Sequence, residues 1–421
     1  MGYCLDNIRL GCNFVNMMKR QTYEAIWKKL EKYKQMVFIS GPRQAGKTTF
    51  SKMIGEQYAN SLYFNWDITD EKKKVIENPF FYEHVQLKDD SKPLIILDEL
   101  HKYPDWKNYL KGIYDRDKEN YKFIVSGSGR LKVFQKGGDS LAGRYLLFYL
   151  WPFTLAEIAG RSTSMEDFIE NPLQIPEENH ESLEIWETLE MCSGFPDPFV
   201  EGEASFYNIW SNTYKKQMLR EDIRDWAALK NAEQVELLFS LLPSKVGSPL
   251  SMASISRDIQ ASFDSVKKWI GLMEHFFMVF RIPPWVPKIS RAITKENKLY
   301  LFDYAGIESS ASKFENMIAL ELWRAVTNWN NLGLGDYTLH YLRNREKEEV
   351  DFLLARNNQP QLLIEAKLSD GNPSKSLIKF QNILNVPAVQ LVNKKGICKK
   401  ISNQKNQLLI INASRWLTIL P

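Results

Sequence analysis

Histidine and cysteine are scarce in this chain, with five and four copies among 421 residues. Cys4, Cys12, Cys192 and Cys398 form neither a CxxC pair nor a Cys/His cluster. That excludes a structural zinc site and a disulfide framework, and it fits a reducing cytoplasm. Long apolar runs are missing too, and none approaches the ~20 residues that a membrane-spanning helix needs. The stretch MGYCLDNIRLGCNFVNMMKR is charged throughout and has no signal-like apolar centre, so it reads as a short tail. An excess of one charge is also absent. Lys and Arg number 55 against 51 Asp and Glu, a net +4 that permits nucleic-acid contact without arguing for it. There is no internal repeat and no low-complexity tract.

What is present is a regular alternation. QTYEAIWKKLEKY has helical spacing, and MVFIS after it is a short buried strand. SLYFNWD, PLIILDE, YKFIVSGS and GRYLLFYLWPF supply four more apolar strands, with helical stretches between several of them. Strands that are apolar throughout and alternate with helices indicate a parallel sheet covered on both faces. Beyond about residue 155 the pattern changes to acidic helices and loops. Further helices follow, and the last part returns to mixed α/β. The expected fold class is therefore α/β.

Between the first strand and the next helix lies GPRQAGKTT, comprising Gly41, Pro42, Arg43, Gln44, Ala45, Gly46, Lys47, Thr48 and Thr49. It fits G-x-x-x-x-G-K-[ST], the spacing that lets backbone N–H groups and a helix N-terminus close around phosphates. Lys47 is placed to reach the β- and γ-phosphates and the Thr48 hydroxyl to ligate Mg²⁺. LIILDE then offers Asp98 as the Mg²⁺ partner and Glu99 to activate the attacking water, or else a pair capping the next helix. The interval between Lys47 and Asp98 has room for a helix, a strand and another helix, which inserts a strand between the cradle strand and the acidic one. Ser126, ending IVSGS, is a candidate sensor of the γ-phosphate. Arg144 is a candidate phosphate contact from its own or a neighbouring subunit, or a surface ion pair.

ISGPRQAGKTT, IILDELHKYPDW, VSGSGRL and SLAGRYLLFYLWPFTLAEI, taken in order, resemble the AAA-family ATPases of bacteria and archaea that carry a C-terminal domain of unknown function with a restriction-endonuclease-like fold. The resemblance covers nearly the whole chain from about residue 20. It implies an AAA-type P-loop ATPase core that binds ATP with Mg²⁺, a winged-helix middle and a nuclease-like C-terminal domain. Ser126 departs from the threonine of many such relatives, although either hydroxyl serves.

SMASISRDIQASFDSVKKWIGLMEHFF has the spacing of two helices and a turn, with Ile255, Ile259, Val266, Trp269, Ile270 and Met273 inward. MVFRIPPW after it reads as the wing, and Lys267 and Lys268 fall where a recognition helix meets a duplex. A protein-contacting winged helix fits the same residues. In the last segment, LLIEAKL puts Glu365 and Lys367 on one face of a strand. EEVDFLLA puts Asp351 on the strand before it, with ARNNQPQ as a hairpin, and KFENMIALEL puts Glu315 on a helix. Together these resemble a PD-(D/E)XK nuclease motif. In that reading Glu315, Asp351 and Glu365 are metal ligands and Lys367 orients the attacking water. The alternative is a Glu365–Lys367 ion pair on an edge strand of a non-cutting domain.

The expected organisation is a tail over 1–19, an AAA-type core over 20–160 and a helical lid or linker over 161–230. A winged helix-turn-helix over 231–290 and a nuclease-like domain over 291–421 complete it. The expected ligands are ATP and Mg²⁺, and the candidate partners are double-stranded DNA and further copies of the chain, with no membrane. The rival is a nucleotide-dependent switch or scaffold whose C-terminal domain binds a protein partner.

Overall fold

The structure, a computed structural model, describes residues 20–127, 141–161, 163–219, 232–286, 296–402 and 407–421. The expected tail over 1–19, with Cys4 and Cys12, and the later part of VSGSGRL lie outside the described residues. The chain divides between Pro152 and Phe153 into two compact units.

The first unit is built on a five-stranded sheet. Its strands are β1 (Met36–Ser40), β2 (Ser61–Asn65), β3 (Leu94–Asp98), β4 (Lys122–Ser126) and β5 (Tyr145–Tyr149). The order is β2-β3-β4-β1-β5, with every pairing parallel. All five match the expected strands. β1 and β3 are buried at every position, as strands covered on both faces must be. Around them lie helices α1 (Gln21–Leu30), α2 (Lys47–Gly55), α3 (Thr69–Glu77) and α4 (Trp106–Asp117). Buried Tyr23, Ile26, Trp27 and Leu30 follow the 3–4 residue helical spacing along α1. The helix α3 stops at Glu77, two residues before Pro79, which lacks the N–H that an α-helix needs. The strand between the cradle strand and the acidic strand is β4; β2 lies outside the acidic strand.

The second unit holds a mixed six-stranded sheet in the order β12-β13-β11-β10-β9-β8. Its strands are β8 (Tyr337–Arg343), β9 (Glu349–Arg356), β10 (Gln359–Lys367), β11 (Ala388–Val392), β12 (Cys398–Ser402) and β13 (Gln407–Asn412). The ARNNQPQ hairpin forms as expected. Asn357 and Asn358 both take positive φ, 50° and 58°, in a two-residue turn joining the antiparallel β9 and β10. The apolar runs AVQLV and QLLIIN add β11 and β13, parallel to β10 and to each other, strands that the sequence reading did not single out.

Earlier in this unit come α5 (His180–Cys192), α6 (Ala204–Gln217), α7 (Ala232–Leu241), α8 (Met252–Asp258) and α9 (Phe263–His275). All six residues expected on the inner faces of the helix-turn-helix are buried. The wing differs from expectation. MVFRIPPW supplies only β6 (Val279–Ile282), whose partner is β7 (Lys298–Leu301), beyond the expected boundary at 290. Pro283 and Pro284 lead the chain away instead, and the Pro283 carbonyl accepts from the N–H of Tyr341 on edge strand β8. The acidic stretch at 161–190 carries its own buried apolar residues. Phe168, Leu173, Ile185 and Trp186 are buried, and Trp416 donates its indole N–H to the Pro172 carbonyl at 2.9 Å. The long helix α10 (Ser310–Asn331) and α11 (Lys375–Leu384) complete the unit.

Candidate functional site

Parallel register brings Ser40, Asn65, Asp98 and Ser126 to the C-terminal edge of the first sheet. Here β1 feeds the loop and then α2. β1 lies between β4 and β5, whereas the chain next returns at the far strand β2. Such a switch in strand order opens a crevice at the carboxyl ends. The loop needs its glycines. Gly41 has φ +144°, and a Cβ there would lie 2.2 Å from the Leu150 carbonyl oxygen. Gly46 caps α2 in the left-handed region, at φ 87°. Lys47 is only 8% exposed, and its ammonium folds back to donate to the carbonyls of Gly41 at 3.1 Å and Pro42 at 2.5 Å.

Asp98 is the hub of this edge. It is 2% exposed and accepts from three hydroxyls: Thr48 at 2.7 Å, Tyr63 at 2.8 Å and Ser126 at 2.5 Å. Burial, followed by the Asp98 charge, holds the Tyr63 phenol protonated well above its ordinary range. Glu99 takes φ 55°, a left-handed conformation costing a non-glycine residue roughly 1–3 kcal/mol, so the turn turns sharply away from β3. Its carboxylate lies 3.1 Å from the Lys102 ammonium, which also meets Asp67 at 2.6 Å. Arg20, which the sequence did not flag, supports the loop from beneath. Its guanidinium donates to the Ala45 carbonyl at 3.0 Å and the Trp151 carbonyl at 2.7 Å.

Of the residues expected at the phosphate site, Gly41–Thr49, Asp98, Glu99 and Ser126 gather at this edge. Arg144 does not. Its backbone carbonyl accepts from the N–H of Met36, at the start of β1. A five-residue strand, about 15 Å, separates it from the loop. Its guanidinium forms a two-pronged bond to Asp115, at 2.8 and 3.0 Å. A phosphate contact within its own chain is therefore corrected to an exposed ion pair.

Residues 33–159 match the family model described as an AAA domain. This unit has the AAA-type P-loop fold. Two further models, both of domains of unknown function, match residues 184–316 (DUF8612) and 311–414 (DUF4143). Uncharacterized proteins of Mycobacterium bovis and Mycobacterium tuberculosis are each 20% identical over 333 residues, 77% of this chain and 68% of the relative. Among solved structures, the Aeropyrum pernix ORC1 protein in complex with DNA is similar at 12% identity and TM-score 0.32, over 68% of this chain and 86% of that one. AMPPCP-bound DnaA from Aquifex aeolicus is similar at 15% identity and TM-score 0.30, over 60% and 86%. Among the described residues no helix is long and apolar enough to cross a membrane.

The second candidate site lies in the unit from residue 153 onward. Glu315 on α10, Asp351 on β9, and Glu365 and Lys367 on β10 do come together. Lys367 pairs with Glu365 at 2.7 Å. The Asp351 N–H donates to Glu365 at 3.4 Å, and Asp351 accepts from the N–H of Ala366 at 2.9 Å. The sequence missed three participants. The Lys298 ammonium, from β7, lies 3.0 Å from Glu315, 2.6 Å from Glu349 and 3.5 Å from Asp351, and its side chain is 1% exposed. Tyr300, also on β7, donates its hydroxyl to Glu315 at 2.8 Å. Lys298 and Tyr300 on β7 and Glu349 on β9 belong to no local motif and meet the expected residues only across the fold.

Burial and then the Asp351 charge raise Glu315 to about 7, against the pull of Lys298; burial and Asp351 likewise raise Glu365 to about 7, against Lys367. Burial works against a charged Lys298, but Glu315, Asp351 and Glu349 outweigh it and hold the ammonium protonated. These donors do not fit a metal ion as they stand. One Glu315 oxygen already accepts from Lys298 and Tyr300, and Lys298 also meets Glu349 and Asp351. Among the described residues no group of three or more His, Cys, Asp or Glu side chains is arranged to hold a metal.

Proposed function

We propose that this chain binds ATP with Mg²⁺ in the 41–49 loop and hydrolyses it, and that the nucleotide cycle governs how the 153–421 unit engages double-stranded DNA without cutting it. The observation that carries the ATP reading is the convergence of the Thr48, Ser126 and Tyr63 hydroxyls on buried Asp98, beside a glycine loop opening a helix. Backbone N–H groups of the loop and the start of α2 would hold the phosphates. The Lys47 ammonium would turn to phosphate oxygens, a charge-assisted contact. Thr48 and Asp98 would hold Mg²⁺, which supplies neutralisation of phosphate charge. Glu99, once released by Lys102, would accept a proton from the attacking water on its carboxylate oxygen, and Ser126 would orient towards the γ-phosphate. In an assembly of copies, Arg144 would reach a neighbour's nucleotide only after leaving Asp115.

The DNA part is supported by Lys267 and Lys268, both exposed on α9. The non-cutting part is supported by the lysine already seated among the carboxylates. Phe263, 51% exposed at the start of the same helix, favours a second reading in which α9 meets a protein partner. The test is phosphate release from Mg²⁺-ATP by the full chain, with and without duplex DNA, alongside a gel-shift assay. Turnover stimulated by duplex supports the proposal. Turnover unchanged by duplex, with no shifted band, moves the partner to protein. An absence of ATP binding by calorimetry overturns the reading altogether.

A further inference from the structure

The residue that decides the character of the second site is Lys298. It stands on β7, reached after the helix-turn-helix and β6, and not on any of the strands that carry the expected motif. Three carboxylate oxygens, from Glu349, Glu315 and Asp351, converge within 2.6 to 3.5 Å of its nitrogen. An ammonium has three protons, and here each has a carboxylate to meet. The surrounding charges nearly balance without any other ion. Glu315, Glu349, Asp351 and Glu365 carry four negative charges when ionised, opposed by Lys298, Lys367 and the Arg343 guanidinium, which lies 3.3 Å from Glu349. The ring of Tyr341 closes one side, its centroid 5.5 Å from the ammonium.

We propose that Lys298 is a built-in replacement for a divalent cation, so that the six-stranded unit keeps a nuclease-like carboxylate arrangement and holds it together with its own side chain. The inference goes beyond the reading above and is independent of whether ATP is hydrolysed. A tethered ammonium neutralises the carboxylates at no cost in free metal, and it offers no open coordination position at which water is activated. The position it fills is one where oxygen ligands would suit a hard divalent ion. Deleting the amine while keeping the carboxylates should therefore create a metal site centred on Glu315, Glu349 and Asp351. Glu349 replaces Glu365 in that set, a difference from the motif read in the sequence.

The probe is Mn²⁺ alone, with the full-length, nucleotide-free chain, and free Mn²⁺ followed by electron paramagnetic resonance. Wild type and Asp351→Asn should show the same weak background, with no site that depends on Asp351. Lys298→Met should gain one Mn²⁺ per chain, bound at least about tenfold tighter than that background, and Lys298→Met/Asp351→Asn should lose it again. A wild-type site that disappears in Asp351→Asn overturns the proposal, as does a folded Lys298→Met chain that gains none. Should Lys298→Met fail to fold, the wild-type and Asp351→Asn comparison decides by itself.

Discussion

Two buried lysines face opposite kinds of neighbour. Lys47 donates to two backbone carbonyls, whereas Lys298 is enclosed by three carboxylates. A hydrogen bond from an ammonium to an anion is stronger than one to a neutral carbonyl. Around Lys298 the carboxylates supply acceptors and countercharge together. The same residue type thus sits against backbone carbonyls in the first unit and inside a carboxylate cluster in the second. The hub carboxylates differ in the same sense. Asp98 accepts from three neutral hydroxyls, while Glu315 is held by a cation that is part of the chain.

The sharpest test of the ligand-ready side is Glu99→Gln. It should leave ATP binding intact and lower turnover by about 10²–10⁴-fold, the usual worth of a general base, measured as phosphate release. Lys47→Ala follows, with turnover down by about 10²–10³-fold, as for loss of one charge-stabilising donor, and weaker binding of a fluorescent ATP analogue. On the self-contained side, Lys298→Met should cost roughly 3–5 kcal/mol in chemical denaturation of the second unit, because it strands buried carboxylates. Substitution of Lys367, which is 41% exposed on its side chain, should cost much less.

A smaller effect concerns pH. Glu315, facing Lys298, Tyr300 and Asp351, and Glu365, facing Asp351 and Lys367, are raised on folding from 4.5 to about 7. Between those values the folded chain keeps protons that the unfolded chain has lost. Their contribution to stability is therefore complete below about pH 4.5, falls as pH climbs through 7 and levels off above it. Thermal melts from pH 5 to 8 should show wild type losing more stability across that range than Glu315→Gln. If the two profiles run parallel, burial and Asp351 do not hold a proton on Glu315. The least effect is expected from Arg144→Ala, which removes an exposed pair with Asp115 at the sheet edge away from the loop. Turnover by the single chain should not change; a large loss would show that Arg144 serves the nucleotide from another copy.

Much of the first unit was legible in the sequence because its signals are local. An apolar strand, a glycine loop of fixed spacing and a strand ending in Asp98 and Glu99 are contiguous runs, and parallel register carries their ends to one edge. Arg20 and Tyr63 escaped notice because each acts across the fold, from positions with no motif. In the second unit Glu365 and Lys367 were expected to share a face, and they do, since strand periodicity alone dictates it. The wing was misread because hairpin partners were sought among neighbours in sequence, whereas β6 pairs with a strand beyond residues 287–295.

The sequence by itself determined that the first unit is a parallel α/β fold with a phosphate-type loop, because strand burial and glycine backbone freedom are written into short stretches of residues. Only the tertiary structure decided what the second set of charges amounts to. Whether four carboxylates await a metal or already own a cation depends on which lysine the folded backbone delivers among them. That lysine is 53 residues from Asp351 in the chain and 3.5 Å from it in space. Coulomb energy follows the second distance, not the first.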